Sequence, residues 1–231
     1  MKKSHIATLI VFFVLIPLTL IVGSRLSGRA FYVTSTLVIV ELLIPFFLAF
    51  EGRRPQAREL VVLAVMCALA VAGRVAIPIP SFKAIFGIIM IAGIAFGPES
   101  GFLVGAISAL ASNFFYSQGP YTPWQMMAYG AGGMLAGFVF AEGRLPRKPV
   151  VMGIFGFLAV TFFVGPLLDT CSVFLVMSRI SLKGAMAFYI SGFPVNLRQA
   201  VATAIVLLVL GKPLLEKLDR IKTKYLSLIH I

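Results

Sequence analysis

The sequence predicts an all-α integral membrane protein, a bundle of six membrane helices preceded by two further hydrophobic helices. Three observations predict it. Apolar residues make up 60% of the 231 positions and charged residues only 12%, against roughly 45–50% and about 25% in soluble domains. Apolar runs of about 18 residues or more recur along the chain, long enough to cross a hydrocarbon core about 30 Å thick. The runs are continuous rather than alternating with period two. In lipid only helices or a closed barrel satisfy their own backbone groups, so these runs read as helices.

The first run, about 6–23, follows Lys2 and Lys3. It has the basic start and apolar middle of a signal peptide, but it is long for one. Ser24-Arg25-Leu26-Ser27-Gly28 offers no small-x-small cleavage site, so the run reads as a retained helix. The second, about 31–50, carries Glu41 near its centre and Pro45 beyond it. A polar break, Glu51-Gly52-Arg53-Arg54-Pro55-Gln56-Ala57-Arg58-Glu59, is the best internal boundary. It divides an N-terminal pair with its basic linker (1–57) from a six-helix membrane domain (58–212) and a basic tail (213–231). The six runs after the break cover about 60–77, 82–97, 101–116, 122–141, 150–177 and 184–210. The tail from Gly211 has amphipathic helix character. The last residues, Leu226-Ser227-Leu228-Ile229-His230-Ile231, are unlike it, resemble translated sequencing-adapter sequence, and are assigned no function.

A formal charge of +12 raises nucleic acid as a partner. The cations lie between the runs rather than in one basic domain, so they read instead as topology signals. With the N-terminus inside, the inner segments hold Lys2, Lys3, Arg53, Arg54, Arg58, Arg144, Arg147, Lys148, Lys212, Lys217, Arg220, Lys222 and Lys224. The outer ones hold Arg25, Arg29, Arg74, Lys83, Arg179 and Lys183, and Arg198 falls within a run. The count of 13 against 6 predicts a multi-pass protein of the cell membrane with both termini cytoplasmic.

Catalytic chemistry is poorly supplied. The two histidines, His5 and His230, lie at opposite ends, which removes histidine triads, haem ligation and histidine-rich zinc sites. Cys67 and Cys171 read as small buried apolar residues rather than a disulfide or a metal pair. No Gly-x-x-x-x-Gly-Lys-Ser/Thr loop is present, so no ATPase site of that kind exists in the chain. Glu41 and Asp169 are the acids deep in apolar runs, and they lie in different helices. No catalytic residue, metal or cofactor is expected.

The chemistry lies elsewhere. Asn113-Phe-Phe-Tyr-Ser-Gln-Gly-Pro-Tyr-Thr-Pro-Trp-Gln-Met126 carries no charge, two prolines, the single tryptophan and a cluster of hydrogen-bonding side chains. An aromatic, amide-rich segment stiffened by proline suits a flat polar ligand. Small residues recur every fourth position as Ala64, Ala68 and Ala72, as Gly101, Gly105 and Ala109, and as Gly133 and Gly137. Such stripes let helices approach closely in lipid. The glycine stripes read as internal packing.

The alanine stripe is followed by Gly73-Arg74-Val75-Ala76-Ile77-Pro78-Ile79-Pro80-Ser81-Phe82-Lys83. Then come Ile91-Ala92-Gly93-Ile94-Ala95-Phe96-Gly97-Pro98-Glu99-Ser100-Gly101 and the aromatic-amide segment. Together, over about 58–212, these resemble the substrate-binding S component of energy-coupling factor (ECF) vitamin transporters. The resemblance implies capture of a vitamin at the outer face. It also implies docking of Ala64, Ala68 and Ala72 on a transmembrane coupling subunit, and energy from two cytoplasmic ATPase subunits. The two N-terminal runs depart from that family's six-helix pattern.

On this placement Tyr121 and Trp124 either stack on a ligand ring or form an interfacial aromatic belt. Asn113, Gln118 and Gln125 offer amides that are costly in lipid without partners. Arg74 and Lys83 flank a turn that the resemblance makes a gate over the substrate; the alternative is snorkelling at the membrane surface. Asp169, Asn196 and Arg198 lie deep in the last two runs, where ionisable groups face an interior and are paired. Asp169 and Arg198 are expected to pair directly, through substrate, or as a structural ion pair. Aromatics plus amides fit any ring-bearing vitamin; the resemblance to related sequences with this aromatic-amide signature implies cobalamin as the leading substrate, with riboflavin, thiamin precursors, folates and queuosine precursors open. The rival readings are a membrane enzyme on a lipid-linked substrate, with Asp169 as base and Arg198 as anion clamp, and a membrane scaffold subunit.

Overall fold

The computed structural model describes residues 57–140, 143–177 and 181–226, with residues 14–15, 18–19, 33, 36–41 and 43–44 before them. The expected runs at 6–23 and 31–50 therefore lie largely outside the described residues. Every regular element described is helical: α1 (Ala57–Val75), α2 (Ile85–Phe96), α3 (Pro98–Tyr116), α4 (Thr122–Phe140), α5 (Pro149–Ala159), α6 (Gly165–Val176) and α7 (Leu182–Ile221). Among the described residues the fold is all-α. Two continuous helical stretches, Pro149–Val176 and Leu182–Lys224, have both the length and the hydropathy to cross a bilayer.

The bundle is built around α2. All twelve of its residues are buried, as expected of a helix that is apolar on every side. It touches α1, α3, α4 and α7. Twelve residues rise about 18 Å, well short of a core about 30 Å thick, so the expected run 82–97 yields a buried internal helix. One residue, Gly97 at φ +94°, joins it to α3. That backbone angle favours glycine, and Pro98 follows at the first helical position, where its missing N–H costs nothing.

Close backbone contact sets the α3–α4 pair. A Cβ at Gly101 would overlap the carbonyl of Gly133, one at Gly105 the carbonyl of Tyr129, and one at Gly137 the backbone of Pro98. The glycine stripes are thus internal seams. On α1 the buried residues are Leu63, Met66, Cys67 and Ala70, one face at helical spacing, while Ala64, Ala68 and Ala72 are exposed on the other.

A π turn, Val160–Val164, joins α5 to α6. Pro166 follows it and cannot donate to the preceding turn, so the local ladder widens. Antiparallel to this pair runs α7, 40 residues and about 60 Å long. It continues past Leu210 and through Pro213, where a polar tail was expected to begin. The extension is anchored on α2. Lys222 Nζ donates to the Ala95 carbonyl at 2.5 Å and Arg147 Nη2 to the Ile94 carbonyl at 3.1 Å. Arg147 also pairs with Asp219 at 3.3 Å. Two cations from distant parts of the chain therefore cap carbonyls that the end of α2 leaves open. Before residue 45, Thr19 Oγ1 donates to Glu41 Oε1 at 2.6 Å, and Leu43 is buried with Phe102 and Ala106 of α3.

Candidate functional site

One end of the bundle gathers the ends of α1, α3 and α6 and the starts of α2, α4 and α7. Arg74, in the last turn of α1, reaches across to α3. Its Nη1 donates to Ser112 Oγ at 2.5 Å and to Asn113 Oδ1 at 2.9 Å. Its guanidinium lies 4.9 Å from the Tyr116 ring centroid and 5.6 Å from that of Tyr129. A cation within about 6 Å of two aromatic rings and bonded to two polar acceptors is held in a fixed pose. Tyr116 Oη returns a hydrogen bond to the Arg74 carbonyl at 3.0 Å, closing the end of α1.

Asn113 carries the network onward. It is fully buried, and its Nδ2 donates to Thr122 Oγ1 at 3.1 Å and to Gln125 Oε1 at 2.9 Å, both at the start of α4. Thr122 Oγ1 donates in turn to Gln118 Oε1 at 2.9 Å and accepts from the Gly119 N–H at 3.2 Å. Gln118 Nε2 donates to the Leu110 carbonyl at 3.0 Å. The turn between α3 and α4 is thereby stitched from both sides, with Ser117 at φ +77°.

Of the residues expected at the site, Arg74, Asn113, Gln118 and Gln125 form this one network. Lys83 sits beside it, 6.0 Å from the Tyr116 ring centroid, with its ammonium donating to the Ile77 carbonyl. Tyr121 folds back on its own turn, its hydroxyl donating to the Ser117 carbonyl at 2.7 Å. Trp124 faces α6 and packs on Phe174 at 5.4 Å between centroids, with the planes 31° apart. Its Nε1 is buried without a hydrogen-bond acceptor among the described residues, an open donor on an aromatic platform.

A second polar group lies on α6 and α7. Asn196 Nδ2 donates to Asp169 Oδ2 at 2.7 Å. Glycines make the approach: a Cβ at Gly165 would overlap the Asn196 amide, and one at Gly192 the Asp169 carboxylate. Thr170 Oγ1 lies 2.8 Å from Tyr189 Oη. The expected direct pairing of Asp169 with Arg198 is not formed. Arg198 is exposed, and its Nε donates to the Pro194 carbonyl of its own helix at 3.3 Å. Helical geometry gives the reason: residues two apart point about 200° apart, so when Asn196 faces α6, Arg198 faces away.

Sequence reasoning missed Ser112, Tyr116, Thr122 and Tyr129 as partners of the network, and Gly165 and Gly192 as the positions that admit Asn196 and Asp169. Tyr116 and Thr122 lay inside the aromatic-amide segment already singled out, and Ser112 is next to it. On the α1 side, Ala68 and Ala72 line an open apolar groove of about 480 Å³ with Val71, Val75, Ala111 and Phe115.

A family model described as ECF-type riboflavin transporter, S component, matches residues 55–216. No curated protein and no solved structure matches the chain.

Proposed function

The chain belongs to the ECF-type riboflavin transporter S component family, and from that premise we propose that it binds riboflavin or a close flavin analogue for ATP-driven uptake. A vitamin-binding transporter subunit follows from the family. The flavin is our reading of the ligand, and it replaces cobalamin, which finds no support in the comparison.

The observation that carries the reading is the pairing of Trp124 with the network beside it. A flat ring system with a polar edge needs an aromatic face and a set of donors and acceptors in reach of one another. Trp124 supplies the face and an open N–H, and Gln125, next in sequence, ties it to Asn113 and Arg74. Asp169 and Asn196 supply a second acceptor–donor pair from α6 and α7. We assign ligand contact to Trp124, Gln125, Asp169 and Asn196. Arg74, Asn113 and Gln118 position them, and Tyr121 and Lys83 shape the turns around the site. Arg198 has no place in it.

Counting α5, the π turn and α6 as one rod, we read the helices from α1 to α7 as six core helices. On the charge count, the α3–α4 turn opens at the outer face. Ala64, Ala68 and Ala72 are exposed, the last two along a groove, and form the docking stripe for a transmembrane coupling subunit driven by two cytoplasmic ATPases. Titration of the purified protein with riboflavin, followed through Trp124 emission, tests the ligand assignment; a panel of other vitamins is the control.

A further inference from the structure

We propose that the seam between α5 and α7 is a binding site for an anionic phospholipid, with an acyl chain in an apolar trough and the phosphate against Lys148, Lys212 and the start of α5. The trough is an open groove of about 280 Å³ lined by Val150, Gly153, Ile154 and Leu158 of α5 and by Ala204 and Leu208 of α7. Gly153 brings the two helices close, since a Cβ there would overlap the Leu208 side chain, and the groove runs along the outside of this seam. From Val150 to Leu158 it extends about 12 Å along the helix.

The trough has a polarity. On α7, Ala204, Leu208 and Lys212 recur every fourth residue and so share a stripe, which puts Lys212 just beyond the apolar lining. On α5, Lys148 is the N-cap, with extended backbone, and Pro149 is the first helical residue. The unpaired N–H groups and positive dipole end of the helix therefore lie at the same end as Val150. The two lysines belong to the same end of the bundle, because Gly211 of α7 seats against Met152 of α5. Both are exposed. The acid near Lys212 is Glu216, at 3.9 Å, and such exposed pairs are weak. The order of groups is two cations, a helix start, then a hydrocarbon trough. An amphiphile with a negative head and an apolar chain presents the complementary order, and a membrane supplies one.

The test uses the full chain in mild detergent, with phosphatidylglycerol and phosphatidylcholine of identical acyl chains as probes and native mass spectrometry as readout. Phosphatidylglycerol is expected to be retained in preference. Lys148→Gln and Lys212→Gln should each lower its retention roughly fivefold, the equivalent of about 1 kcal/mol per basic residue at an anionic surface, and leave phosphatidylcholine unchanged. Ala204→Phe, which fills the trough, should lower retention of both lipids; Ile154→Trp serves if that variant does not fold, as judged by circular dichroism. Equal retention of the two lipids, unmoved by the lysine substitutions, would overturn the proposal. So would a lysine effect with no effect of filling the trough, which would mean headgroup attraction alone.

Discussion

Asn113 shows how a single side chain ties three helices together. It is buried, accepts from Arg74 of α1 and donates to Thr122 and Gln125 of α4. Asn113→Ala removes all three bonds and strips a cation of a buried acceptor. Hydrogen bonds to charged groups contribute about 1.5–3 kcal/mol, so a loss of that size is expected in thermal melts, with riboflavin binding at least about tenfold weaker. Arg198→Gln should change neither, because that side chain is exposed and bonded to its own helix; weakened binding in Arg198→Gln with normal melting would restore Arg198 to the site. The amides and Arg74 were legible in the sequence because polar groups in apolar runs must find partners. Ser112 and Thr122 were not, since a hydroxyl can satisfy itself on its own helix, as Thr203 does on the Gln199 carbonyl at 2.8 Å. The Asp169–Arg198 pair failed because depth along a run says nothing about direction around it.

At the level of elements, glycine decides which helices meet. The carbonyl of Gly101 lies where a side chain at Gly133 would go. Gly133→Leu must force α3 and α4 apart, and overpacking of this kind costs typically 1–3 kcal/mol; a lowered melting temperature is the readout, and an unchanged one would show that the seam can open freely. The alanine stripe on α1 behaves in the opposite way, since nothing among the described residues covers it. Ala68→Leu should leave melting and vitamin binding intact while abolishing co-purification with a coupling subunit; unaffected co-purification would remove α1 as the docking face. The stripes were visible in the sequence as small residues four apart, but the sequence does not distinguish a seam from an open face. Burial does. Helix ends were less legible for a related reason. Gly97 and Pro98 mark the α2–α3 turn by their backbone chemistry, whereas α7 passes through Pro213 because Arg147, Lys222 and the buried Leu215 and Leu218 hold its extension against the core.

Taken whole, the molecule separates two kinds of polar chemistry. One end carries neutral amides, hydroxyls and aromatic faces around Arg74, and the other carries cations that cap α2 and border the α5–α7 trough. Composition, run length and the lack of period-two alternation were enough to read an all-α membrane protein, since in lipid only helices or a closed barrel satisfy the backbone and barrel strands alternate. The spatial meeting of Trp124 with Phe174, and of Asp169 with Asn196, depends on how α4, α6 and α7 cross, which no local pattern encodes. Trp124 is the single tryptophan of the chain, so the site contains its own reporter. Titrating the purified protein with riboflavin while following Trp124 emission should give saturable quenching at one ligand per chain, with cobalamin and thiamin giving none and Asn113→Ala shifting the curve to higher concentration. Emission that does not saturate with riboflavin, or that responds equally to cobalamin, would contradict a flavin site at Trp124.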